Sequence, residues 1–123
     1  MGNVKTTSTR IFPATKLTGE KVKNLQDEDF GKIEEVMIDL IDGRIAYAVL
    51  SFGGFLGMGD KLFAIPWEAL SLSEEKKTVY LDVDREVLKE APGFDKDNWP
   101  ANADRTWLTD IYEYYGYEPY WNS

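Results

Sequence analysis

Apolar and polar positions alternate along much of this chain, and turn-forming residues break the alternation into segments. The clearest case spans residues 31–50, where Asp42-Gly43 separates two apolar runs. An Asp-Gly pair in that setting predicts a β-hairpin, because a type I′ turn needs positive φ at both central residues. With Ile41 and Arg44 flanking a two-residue loop, Leu40 faces Ile45, Ile38 faces Tyr47 and Val36 faces Val49. All of these side chains then share one face, as a barrel interior requires. Ile33 is out of phase with Val36 and Ile38, which predicts a β-bulge near Glu34-Glu35.

The alternation continues on both sides of this hairpin. Leu17-Thr18-Gly19 reads as a turn feeding a short strand near Val22–Leu25. Residues 60–66 read as a strand with Phe63 and Ile65 on one face and Leu62 and Ala64 on the other. Pro66 ends it, having no N–H to give a ladder, and Trp67–Leu70 is expected to form a helical or 3₁₀ turn. After a turn at Glu74–Lys77, the segment Thr78–Val83 points Val79, Leu81 and Val83 inward. Asp84 is placed to cap a short helix over Arg85–Glu90, stopped by Pro92-Gly93. The fold class is mainly β, a small β-barrel.

The C-terminal end has a different character. Asp104 or Thr106 caps a helix over Thr106–Tyr115, with Trp107, Ile111 and Tyr114 or Tyr115 along one side, and Gly116 ends it. Tyr117, Tyr120 and Trp121 follow. This is too much aromatic surface to leave in water. Trp107, Ile111, Tyr114, Tyr115, Tyr117, Tyr120 and Trp121 are therefore the candidate partner or dimer surface. In one reading Trp107, Ile111 and Tyr115 pack on their own barrel or on a dimer mate. In the other, Tyr117, Tyr120 and Trp121 form a docking surface, since aromatic residues are favoured binding anchors.

Composition narrows the chemistry. With 123 residues, 43% of them hydrophobic, the chain suits one domain with an ample core. It contains no cysteine and no histidine, which removes disulfides, thiolate nucleophiles, imidazole bases and zinc sites of the usual kinds. Carboxylate chemistry or an oxygen-ligated divalent ion is what remains. No apolar run reaches the ~20 residues that cross a bilayer, and no secretory pattern opens the chain, so a cytoplasmic location is expected.

The net charge of −8 is unevenly spread: residues 1–23 carry +4 and the rest −12. The folded part thus has the wrong sign for nucleic acid, which is not an expected partner. A basic arm could touch an acidic partner or an anionic membrane surface, but only peripherally.

The glycines of residues 53–59 resemble a phosphate loop only in spacing. Asp60-Lys61 follows where Lys and a hydroxyl residue belong, and Leu62 stands where a dinucleotide fingerprint needs glycine. Asp95-Lys96-Asp97-Asn98 begins like a calcium loop, but Trp99 occupies a ligand position. Asp39, Asp42 and Asp60 are the acids best placed to converge, and Asp42 is explained by its turn. No catalytic, cofactor-binding or metal site is expected, and no cofactor. The acidic pairs Glu34-Glu35 and Glu74-Glu75 could act as surface proton carriers, although such pairs usually just face solvent.

Leu17-Thr18-Gly19 through Val22, Gly31-Lys32-Ile33 through Asp39, Asp42-Gly43-Arg44-Ile45 and Lys61-Leu62-Phe63-Ala64-Ile65-Pro66-Trp67 together resemble the PRC-barrel domain. The resemblance covers roughly Ala14 to Phe94. It implies a compact antiparallel barrel of about six strands that holds or assembles other macromolecules, with no catalytic residues to carry over. The domain organisation is then a flexible arm (1–13), a PRC-barrel domain (14–94) and an aromatic extension (95–123). A non-enzymatic protein-interaction or assembly module, with a homodimer and an unidentified protein as partners, is the leading expectation. The resemblance also implies two alternatives. One is an electrostatic accessory to membrane redox proteins, as in the photosynthetic reaction centre H subunit. The other is a ribosome-maturation-related barrel, as in RimM.

Overall fold

Strands β1 (Lys21–Lys23), β2 (Asp29–Asp39), β3 (Arg44–Phe52), β4 (Lys61–Ile65), β5 (Leu70–Ser73) and β6 (Thr78–Leu81) build one curled sheet. Their order is β4-β3-β2-β1-β6-β5. Neighbours run antiparallel except β1 and β6, which are parallel. The computed structural model describes residues 11–52, 61–95, 97, 99–100 and 104–122. The expectations for the N-terminal arm up to residue 10, for the glycine connection of residues 53–59 and for Asp60 lie outside them.

Several local expectations hold. Trp67–Ala69 forms a 3₁₀ turn, and α1 (Arg85–Lys89) and α2 (Arg105–Tyr114) form the helices. Asp104 caps α2, its carboxylate accepting from the Trp107 N–H at 3.0 Å. Asp84 stands at the N-cap of α1, but its carbonyl rather than its carboxylate receives the helix N–H groups. The bulge falls at Glu34, where pairing jumps from Ile33–Leu50 to Glu35–Val49. Gly31 keeps β2 close to its neighbour: its φ is +100°, and an added Cβ would lie 2.0 Å from the Ser51 carbonyl oxygen. At the outer edge of β4, Leu62 and Phe94 exchange N–H···O bonds of 3.0 and 2.8 Å, so this edge is partly covered.

The hairpin register departs from the two-residue turn expected at Asp42-Gly43. Asp39 pairs with Arg44, Ile38 with Ile45, Met37 with Tyr47 and Val36 with Ala48. The loop therefore holds Leu40, Ile41, Asp42 and Gly43, and a second irregularity follows at Ala46. The cause is the Asp39 side chain. Its Oδ1 accepts the N–H groups of Ile41 at 2.9 Å and Asp42 at 3.1 Å, and its carbonyl accepts that of Gly43 at 2.8 Å. Such side-chain bonding to the backbone competes with the ladder and widens the turn.

The change of register decides what lies inside. The curled face packs Val36, Ala48, Leu50, Phe52, Phe63 and Ile65 into one core with Val22, Leu81 and Leu88. Tyr47 and Val49, expected in that interior, lie on the opposite face with Met37, Leu62 and Ala64. There they meet Leu108, Ile111 and Tyr112 of α2, which form a second core.

Candidate interaction surfaces

Each aromatic residue of the C-terminal segment now has a place. Ile111 is buried against the outer face of β3–β4, and Tyr120 is only 3% exposed. For Ile111 this is the reading in which it packs on its own barrel; for Tyr120, placed with the docking surface in the other reading, burial takes the ring out of reach of a partner. Trp107 is half-buried and meets Tyr47 edge-on at 5.4 Å. Trp121 lies edge-on to Tyr120 at 5.0 Å and under the Arg105 guanidinium at 4.8 Å. Tyr115 is half-buried and touches both cores; its hydroxyl is buried with no hydrogen-bond partner among the described residues, and burial raises its pKa. Tyr114 and Tyr117 are left exposed.

Two contact-rich residues of this seam, Leu108 and Tyr112, take the side of the helix expected for Trp107. The Tyr112 hydroxyl donates to the Ala46 carbonyl at 2.7 Å, which satisfies a backbone group freed by the irregular pairing at Ala46. The available signal was spacing: Leu108, Ile111, Tyr112 and Tyr115 stand at i, i+3, i+4 and i+7, which puts them on one face of a helix.

The same seam reaches the hairpin tip. Tyr120 donates its hydroxyl hydrogen to Asp39 Oδ2, and the Arg44 guanidinium donates to the Tyr120 carbonyl. The Tyr120 hydrogen bond, followed by the Asp42 N–H, holds the Asp39 carboxyl below its ordinary value. Burial, then the Asp39 bond, pushes the Tyr120 phenol up. Both carboxylate oxygens of Asp39 are thus engaged in structure, which leaves it poorly suited to carry protons. Beyond this latch the tip projects: Leu40 is 89% and Ile41 91% exposed, with Ile38 beside them at 51%.

On another part of the molecule, adjoining grooves of about 720, 510 and 340 Å³ cross β2, β1 and β6 and the turn between β5 and β6. Lysine is the commonest side chain along them. Among the described residues, no group of three or more acidic side chains is arranged to hold a metal ion. No helix among them is long and apolar enough to cross a membrane.

The PRC-barrel domain model matches residues 10–88, well over half of the chain. This chain belongs to the PRC-barrel family. Among solved structures it is similar to a putative 16S ribosomal RNA processing protein RimM from Pseudomonas aeruginosa. The identity is 18% and the TM-score 0.42, over 61% of this chain and 45% of that one, so the chain spans less than half of that protein. No curated protein matches it.

In this PRC-barrel the family match ends at Leu88, so α2 and the residues after it lie beyond it. Those residues cover an outer sheet face that is as apolar as the inner one. They also brace the hairpin, so the PRC-barrel and its extension share the second core.

Proposed function

We propose that this PRC-barrel is a non-enzymatic module that holds another protein, and that the β2–β3 tip is its docking element. The observation that carries this reading is a pair of large apolar side chains, Leu40 and Ile41, fully presented to solvent on a loop that is held from behind. Exposed apolar groups are usual one at a time, whereas a contiguous set of them marks an interaction site. The latch matters as much as the exposure. A loop fixed by Asp39, Arg44 and Tyr120 loses little conformational freedom on binding, so more of the contact energy is kept as affinity. Exposed Tyr114 and Tyr117 offer further aromatic contact area.

The partner is a second copy of the chain or a different protein, and one pair of experiments separates them. Sedimentation of the full chain is compared with that of Leu40→Ser/Ile41→Ser, and both are used in crosslinked capture from native extract. Self-association lost in the variant assigns the tip to a homodimer. A specific protein captured by the parent and not by the variant assigns it to a heterologous complex. A variant that associates like the parent in both assays removes the tip from consideration.

A further inference from the structure

The fold gathers positive charge that the sequence disperses. Lys21 of β1 stands opposite Lys32 of β2 on one side and Thr78 of β6 on the other. Lys23 stands opposite Asp29 and Tyr80. Lys76 and Lys77 join them from the turn before β6, and Lys16 from the 3₁₀ turn before β1. Like charges directly opposed across a strand pair destabilise a sheet, so the Lys21–Lys32 pair works against folding. Among the described residues only Lys23 of this set is ion-paired, at 3.6 Å from Asp27.

The six lysines share their grooves with Glu20, Asp27, Asp29 and Glu74, which leaves this face at +2. The net charge of −8 then puts −10 on the rest of the chain. A charge separation of this kind favours an anionic partner that meets one face only. Ile11, 93% exposed, stands next to Phe12, which lines the groove with Lys16 and Lys77. Lysines beside an exposed aliphatic side chain are the combination that binds a lipid interface, by attraction to headgroups and shallow apolar insertion.

We infer that this lysine face docks on an anionic bilayer surface. The four acids decide against a nucleic acid as occupant. A nucleic acid lying along the grooves would bring phosphodiesters alone past these acids, whereas in a fluid bilayer zwitterionic headgroups place ammonium groups beside the acids and anionic ones gather at the lysines.

The test is co-sedimentation of the full chain with phosphatidylcholine vesicles, with and without phosphatidylglycerol. Binding is expected only with phosphatidylglycerol and falls as salt is raised. Lys21→Gln/Lys32→Gln/Lys77→Gln should bind roughly a hundredfold more weakly, given the attraction per lysine near such a surface. Lys61→Gln/Lys89→Gln, at two lysines that line none of these grooves, should bind like the parent. The triple variant should melt no lower than the parent, because the Lys21–Lys32 repulsion is gone. Should it fail to fold, Lys16→Gln/Lys76→Gln, in turns outside the strands, carries the same test with a smaller loss. Equal binding to neutral vesicles, no binding at all, or an unaffected lysine variant overturns the inference. So does retention on single-stranded RNA, lost in the same variants, without vesicle binding.

Discussion

Tyr120 donates its phenolic hydrogen to the Asp39 carboxylate, joining residues 81 positions apart in the chain. The bond ties the last turn of the C-terminal segment to the β2–β3 hairpin, and Arg44 closes the arrangement on the Tyr120 carbonyl. The exposed tip is therefore a property of two distant segments together.

Removing that bond should show in the acid limb of stability. Asp39 has a folded pKa below its ordinary value of 3.8, so its contribution is full above that value and fades as pH falls through the folded pKa. Tyr120→Phe removes the largest cause of the shift. The variant should melt lower than the parent at neutral pH, and the gap should narrow as pH drops below about 4. Thermal melts at a series of pH values would show it, and a gap independent of pH would assign the loss to packing instead.

The alkaline limb has the opposite sign. Burial raises the Tyr112 and Tyr115 phenols above the ordinary value of 10.0. Their contribution is full below pH 10 and is lost as pH rises towards the folded values. Ultraviolet titration should show these phenols ionising together with loss of the near-ultraviolet circular dichroism. Ionisation with the fold intact would contradict their placement.

Two glycines with positive φ should respond very differently to a methyl group. At Gly31 the added carbon would meet the Ser51 carbonyl at 2.0 Å, while at Gly43 nothing lies within 4 Å. Gly43→Ala should cost about 1–2 kcal/mol from backbone strain alone. Gly31→Ala adds a clash with backbone that cannot swing aside, and should cost at least about 3 kcal/mol. Denaturant melts of the two variants decide it; comparable losses would mean that β2 and β3 separate easily at this point.

The seam under α2 should behave as core. Ile111→Ala leaves a cavity against Tyr47, Val49 and Leu62 and should cost about 2–5 kcal/mol. Tyr112→Phe should cost about 1–2 kcal/mol, since it strands the buried Ala46 carbonyl. A chain ending at residue 94 exposes this whole sheet face and should aggregate or melt well below the parent. Leu40→Ser/Ile41→Ser, by contrast, should stay within about 0.5 kcal/mol while losing association. A truncated chain that melts like the parent would show that the extension is an independent element.

Local chemistry in the sequence was enough for most of the elements, though β5, four residues between two turns, was not read from it. Asp42-Gly43 marked the hairpin, alternation marked β4, Pro66 marked its end, and the out-of-phase Ile33 marked the bulge. The aromatic density after Trp107 signalled a surface that had to be covered, without saying by what. These features depend on residues within a few positions of one another, and propensity and periodicity report such relationships directly.

What tertiary structure decided was register, face and charge placement. Both faces of β3 and β4 are apolar, so alternation could not tell which one faced the curl, and a side chain on Asp39 shifted the pairing. The latch needed Tyr120, and the lysine face needed β1 to pair with both β2 and β6. None of these follows from local pattern, because each depends on contacts between segments whose separation along the chain carries no mark of their meeting.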